Sequence, residues 1–288
     1  MLSYRVGQKG NAMRLRSLLF VPGDRPDRIE KALATEADVV ILDLEDSVAK
    51  EKKDYARQTV ASFLVRPRPK PIFVRINALG TMATGADLDA AMPHSPDAIV
   101  LPKAEGAASV MELDKRLWAF DAGDTPILPI ATETPAAIFA LGQYAGITPR
   151  LCGLTWGAED LSAAVGGVPR EEDGRFTPPY EMVRALSLFG AHAAQVPAIE
   201  TVYPALQDEA GLAAYAARGH RDGFAGMLAL HPAQIAAINT AFTSTADELI
   251  WAQRVVESFA GGDGVIQLDG KMLDAPHLKR ARAILAHR

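Results

Sequence analysis

Short apolar runs rich in β-branched residues recur along the chain at 15–21, 39–44, 72–76, 98–101, 127–131, 151–156, 198–202 and 224–230. They are nearly continuous rather than alternating, which suits strands of a parallel sheet covered by helices. Segments with helical spacing lie between them: DRPDRIEKALAT, EKKDYARQTVASFLV, the weaker DLDAAM, GAASVMELDKRLWAF, TPAAIFALGQYAG, YEMVRALSLFGAHAAQ, EAGLAAYAARGHRDG and HPAQIAAINTAF. Asp24 before Pro26 reads as the cap of the first helix. Strand then helix, eight times over, predicts an α/β fold, a (β/α)8 TIM barrel. The Gly/Pro-rich stretch 166–179 reads as a long rim loop after strand six.

The barrel is expected over 1–246, with 1–13 as an N-terminal tail and Met13 as an alternative start. The remainder, 247–288, is a C-terminal helical extension. DELIWAQRVVESFAGG reads as a helix ended by glycines, GVIQLDGKML as an extended piece with an Asp-Gly turn, and PHLKRARAILAHR as a last helix. Its apolar residues Ile250, Trp251, Val255, Val256 and Phe259 need burial, on this barrel or on a neighbouring subunit.

Composition narrows the class. The 288 residues are 49% hydrophobic and 23% charged, as in a soluble globular protein. A net charge of −5 without long basic runs argues against a nucleic-acid partner. The single cysteine, Cys152, sits in an apolar run and reads as a core residue. No stretch approaches the roughly 20 apolar residues of a membrane span, and the first residues lack a secretory apolar segment, so a cytoplasmic protein without a membrane partner is expected.

Candidate chemistry gathers at the C-terminal ends of the strands, where TIM barrels place their sites. Strand two ends in Asp43-Leu44-Glu45-Asp46, strand three in Arg75-Ile76-Asn77, strand four in Pro102-Lys103, strand five in Glu133 and strand six in Glu159-Asp160. Such a density of charge is costly unless a metal or an anion organises it. Glu133 and Asp160 follow neighbouring strands, and two oxygen ligands with open positions suit Mg²⁺. Alternatively, Glu133 caps the next helix. Asp43 and Glu45 share a strand face and Asp46 lies opposite; ion pairing is an equal reading for all three. Arg75 is either an ion-pair partner or a fork for a substrate carboxylate, and Lys103 either a salt-bridge partner or a substrate contact. His231-Pro232 reads as a helix start.

Taken together, the segments RSLLFVPGDRPDRIEKA from Arg16, DVVILDLEDSV, FVRIN, DAIVLPKAE, ATETPAAI, WGAEDLSA, GF-G-LALHPAQI and DGKMLDAPHLKRA resemble the citrate lyase β-subunit-like proteins, close to malyl-CoA and citramalyl-CoA lyases. The resemblance implies a Mg²⁺-dependent lyase, a homo-oligomer (trimer or hexamer), that cleaves or forms a C–C bond beside a thioester. An acyl-CoA or keto acid would be its small-molecule partner. It implies Glu133 and Asp160 as metal ligands, Arg75 at the substrate, and Asp274 as a catalytic aspartate reaching a neighbouring subunit's site. Arg16, Asp43, Glu45, Asp46 and Lys103 are further candidates. A citrate lyase β-subunit working on a carrier-protein thioester, a malyl-CoA thioesterase and a non-catalytic acyl-CoA-binding homologue are the alternatives.

The chain departs from the pattern at three positions. Glu200 stands where an aspartate is expected, Met227 where a lysine is, and Leu206 where a polar or aromatic residue is.

Overall fold

All eight apolar runs form strands in the computed structural model, which describes residues 13–120, 124–261 and 264–286. Most of the expected N-terminal tail lies outside the described residues. The strands are β1 (Ser17–Pro22), β2 (Val39–Asp43), β3 (Ile72–Arg75), β4 (Ala98–Leu101), β5 (Ile127–Pro129), β6 (Leu154–Thr155), β7 (Ala198–Glu200) and β8 (Gly226–Ala229). All pair in parallel, in the order β5-β4-β3-β2-β1-β8-β7-β6. β5 and β6 meet through single parallel bridges, Ile127 to Leu151 and Ile130 to Thr155, and the Ala131 amide donates to the Thr155 carbonyl at 2.8 Å. The result is a nearly closed (β/α)8 barrel of the TIM type.

Helices follow the strands: α1 (Pro26–Leu33), α2 (Lys53–Leu64), α3 (Ala83–Ala91), α4 (Ala107–Trp118), α5 (Pro135–Ile138), α6 (Glu159–Val165), α7 (Pro178–Ala193), α8 (Glu209–Asp222) and α9 (Ile235–Ala241). Strand alternation divides the core in two. Leu18, Val39, Ile41, Phe73, Ala98, Val100, Leu128, Ile130 and Ile199 fill the lumen. Leu19, Val40, Leu42, Val74, Ile99 and Leu101 pack outward with the helices. Cys152 belongs to the lumen cluster, and burial pushes its thiol up to about 12.

Three local expectations are corrected. Asp24 does not cap α1: Arg25 holds the cap position without a side-chain bond, while Asp24 sits 3.4 Å from the Lys52 ammonium. The helix after β5 is a single turn, followed by a 3-10 turn, Leu141–Tyr144, whose Tyr144 hydroxyl accepts from the Gly106 amide. Strand six is only two residues long; Gly153, just before it, packs closely, since a Cβ there would fall 3.0 Å from Leu128 Cδ1 and 3.2 Å from the Pro197 carbonyl oxygen. His231 is a helix start as expected, its Nδ1 accepting from the Ala233 amide.

The chain divides after Phe242 into two compact units. The second begins at Thr243 and contains α10 (Ala246–Ser258), an antiparallel hairpin of β9 (Val265–Leu268) and β10 (Lys271–Asp274), and α11 (Ala275–Ala286). Thr245 caps α10 in a reciprocal box with Glu248. Asp269 and Gly270 both take positive φ at the hairpin turn, as an Asp-Gly two-residue turn requires. Ala252, Val255, Leu273 and Ala281 form this unit's own small core, with Trp251, Val256 and Phe259 packed against it. Among the described residues, no helix is long and apolar enough to cross a membrane.

Candidate metal and active site

The alternation that sends Val39 and Ile41 into the lumen also sends Asp43 there, and Phe73 is followed in the same way by Arg75. The two are register partners on β2 and β3. Arg75 grips Asp43 with a two-point fork, Nε to Oδ1 at 2.7 Å and Nη2 to Oδ2 at 2.6 Å, and its Nη1 stands 3.1 Å from Glu45 Oε2. Its guanidinium also lies over the Phe20 ring at 4.8 Å. Much of the fork is therefore committed to a protein carboxylate. Burial would raise the Asp43 carboxyl, but the Arg75 bonds and charge outweigh it and hold it below its usual value. Gly23 makes this close packing possible: a Cβ there would fall 2.7 Å from the Asp43 carbonyl oxygen.

Lys103 links the next strands. Its backbone N–H donates to Glu133 Oε2 at 2.5 Å. Its ammonium lies 2.5 Å from Glu45 Oε1, 3.3 Å from Asp46 Oδ2 and 3.2 Å from Asp160 Oδ1. Asp46 was expected on the opposite face from Glu45, yet both reach Lys103, because β2 ends at Asp43 and strand alternation stops there. The backbone of Lys103 is left-handed, with φ of +52°.

Glu133 is buried and is not the cap of α5; Thr134 is, accepting from the Ala137 amide. The Glu133 segment is fastened to the Asp160 segment by Thr132, whose hydroxyl donates to the Gly157 carbonyl and accepts from the Gly157 amide, both at 3.0 Å. A Cβ on Gly157 would lie 3.0 Å from Glu133 Cγ, so glycine lets the two segments close on each other. Asp160 lies in the first turn of α6 and is about one-third exposed. Burial, together with the charges of Asp160 and Glu45, raises the Glu133 carboxyl to about 8 despite the Lys103 amide. Glu45 is also raised, chiefly by burial.

Five carboxyl groups, Asp43, Glu45, Asp46, Glu133 and Asp160, thus share one rim with Arg75, Lys103 and Lys53. Among the described residues, no three His, Cys, Asp or Glu side chains form a ready-made metal cage. Two hard carboxylate oxygens in an under-neutralised cluster fit an ion such as Mg²⁺, which keeps several waters rather than a full protein cage.

A family model described as HpcH/HpaI aldolase/citrate lyase matches residues 16–232. The chain belongs to this family. It is 36% identical over 268 residues to a citrate lyase subunit beta-like protein of Mycobacterium tuberculosis, covering 93% of each chain. It is 33% identical over 285 residues to a (3S)-malyl-CoA thioesterase of Cereibacter sphaeroides, covering 94% of this chain and 93% of that one. Among solved structures it is similar to the protein CitE of M. tuberculosis in complex with magnesium, acetoacetate and coenzyme A. There the TM-score is 0.81 at 34% identity, over 95% of this chain and 98% of that one.

Within this family member, Asp43, Glu45, Asp46, Arg75, Lys103, Glu133 and Asp160 form one continuous network, and two other candidates stand outside it. Arg16 precedes β1 and pairs with Asp38, which precedes β2, with Nη2 to Oδ1 at 2.8 Å. That pair is at the N-terminal end of the barrel, opposite the rim where the other candidates gather. Asp274 belongs to the second unit, where its Oδ1 lies 2.6 Å from His277 Nδ1 and its side chain is about half exposed.

Two participants carried no signal in the sequence. Lys53, at the start of α2, donates to the Leu44 and Glu45 carbonyls and to Asn77 Oδ1, bracing the β2 end. Asp87, buried in α3, accepts from the Asn77 amide and side chain.

Proposed function

We propose that this protein is a Mg²⁺-dependent carbon–carbon lyase that cleaves, or forms, a 3-hydroxy-carboxyacyl-CoA such as malyl-, citramalyl- or citryl-CoA. The observation that carries this reading is the excess of carboxylates over cations where Glu133 and Asp160 converge on Lys103. Glu133 and Asp160 would hold the ion, which when bound lowers the pKa of a chelated hydroxyl and neutralises the emerging keto acid.

The chain's own groups do the rest. Cleavage passes the substrate hydroxyl proton to the Asp274 carboxylate as the keto C=O forms, and sends the electrons of the C–C bond onto the thioester carbonyl, giving an enolate. Arg75, held rigid by Asp43, supplies a positive guanidinium edge toward that oxygen. Asp274 delivers a proton to the enolate carbon, or removes it in the reverse condensation. In this reading Asp274 serves a neighbouring subunit's barrel, and the protein is a homo-oligomer, a trimer or hexamer. The M. tuberculosis structure with magnesium, acetoacetate and coenzyme A supports the ligand classes.

The test is a turnover panel of malyl-, citramalyl- and citryl-CoA with Mg²⁺ and with EDTA. Mg²⁺-dependent release of acetyl-CoA with a keto or aldehyde acid is expected. Absence of turnover on all three, or turnover indifferent to EDTA, contradicts the reading. The thioesterase relative favours a second outcome, hydrolysis of the same substrate, which would release free CoA and the intact hydroxy acid. For Asp274, mixing Asp274→Ala with Glu133→Ala subunits should regenerate activity. No recovery after confirmed subunit exchange would remove its role in trans.

A further inference from the structure

The rim holds its two cations in different ways. Arg75 is fixed by a two-point fork and is about one-eighth exposed. Lys103 is a point charge on a flexible stem, about one-third exposed; it is hydrogen-bonded to Glu45 at 2.5 Å and stands more loosely, at 3.2 and 3.3 Å, from Asp160 and Asp46. Its backbone is held in the left-handed region, which a non-glycine residue adopts at a cost. That conformation lets one residue do two things. The amide meets Glu133 while the ammonium reaches between Glu45, Asp46 and Asp160.

Resting on the metal-site reading above, we propose that Lys103 is an exchangeable cation. In the metal-free protein its ammonium partly neutralises the carboxylates on which Mg²⁺ would sit. When the ion loads, like-charge repulsion frees the ammonium from Asp160, and it becomes a binding group for an anionic portion of the substrate. Metal and keto acid therefore bind in a preferred order, metal first. Arg75 cannot take this part, because releasing it would leave Asp43 buried and unpaired.

A structural lysine and an exchangeable one give opposite signatures. Calorimetry is run on EDTA-stripped wild type, Lys103→Met, Lys103→Gln and Lys103→Arg, first with Mg²⁺ alone and then with acetoacetate at saturating Mg²⁺. Thermal melting of the same samples confirms folding. Both neutral variants should bind Mg²⁺ about tenfold more tightly and acetoacetate about tenfold more weakly. Lys103→Arg, which keeps the charge, should stay near wild type for Mg²⁺. Parallel weakening of both ligands, or unchanged Mg²⁺ affinity in both neutral variants, overturns the proposal. Glu133→Gln separates the two readings: if wild type binds no Mg²⁺, or Glu133→Gln binds it equally well, the metal site itself is wrong and the exchange proposal falls with it.

Discussion

Two charged networks stand at the C-terminal ends of the barrel strands, and they differ in closure. At the end of β7, Glu200 is fully buried. Its Oε1 accepts from Trp156 Nε1 and the Tyr215 hydroxyl, each at 2.6 Å, and from the Thr201 amide at 3.0 Å. Its Oε2 accepts from Arg184 Nε at 2.6 Å, and Arg184 continues to Asp222 at 2.7 Å. Trp156, Phe176 and Tyr215 pack ring against ring around it. The network around Lys103 has more acid than base and side chains open to solvent. A carboxylate whose lone pairs are occupied by fixed donors is scaffold, whereas an under-neutralised, part-open cluster is prepared for a ligand.

Glu133→Gln tests the open network most severely. Even groups behind a ligand cost 10–100-fold in metal affinity, so removing a ligand should cost more than ~100-fold and bring turnover to background. The same variant has a pH signature. Between about 4.5 and about 8, the folded metal-free protein holds a proton on Glu133 that the unfolded chain releases. Stability should therefore fall as pH rises through that window, and Glu133→Gln should flatten the slope. Melting curves of EDTA-treated protein from pH 5 to 8.5 would show it.

Glu200→Ala probes the closed network. It leaves Arg184 buried with only Asp222, and the expected cost is ~3–5 kcal/mol in denaturant unfolding. Mg²⁺ affinity of the remaining folded protein should stay within about threefold of wild type. A large loss of affinity with little loss of stability would erase the distinction between the two regions.

Arg75→Lys falls between them. The fork to Asp43 makes this residue structural as well as catalytic in the proposed reaction. Chemical unfolding should register a loss of ~1–3 kcal/mol, alongside a marked fall in turnover. Full stability with full activity would deny both roles. The smallest effect on the site is expected for Arg16→Ala, at the barrel's other end. It should cost ~1–3 kcal/mol, through the part-buried pair with Asp38, and leave Mg²⁺ binding and turnover unchanged.

The eight strands were legible because continuous apolar runs have few other uses in a chain of this length. The rim was legible as a position, since Asp43, Glu45, Arg75, Lys103, Glu133 and Asp160 all lie at or just past the ends of such runs. Their pairing was not. Strand alternation places Asp43 and Arg75 in the lumen but does not reveal that β2 ends there, so Asp46 was put on the wrong face. Arg16 was drawn in by its motif, although a residue before a strand belongs to the opposite end of the barrel. In the sequence Glu200 is only a departure, standing where an aspartate is expected. Of its partners, Trp156 follows β6, Arg184 lies in α7 and Tyr215 in α8, and only the folded chain brings them together. The left-handed backbone of Lys103 has no counterpart in sequence, because nothing in Pro102-Lys103-Ala104 demands it.

The proposed chemistry stands on Glu133 and Asp160 holding the divalent ion. Mn²⁺ shares the oxygen-rich octahedral preference of Mg²⁺ and scatters anomalously, so a Mn²⁺-soaked crystal tests the claim most directly. One strong anomalous peak is expected between the Glu133 and Asp160 carboxylates, lost in Glu133→Gln crystals. A peak elsewhere in the barrel, or one that persists without the Glu133 carboxylate, would contradict this assignment.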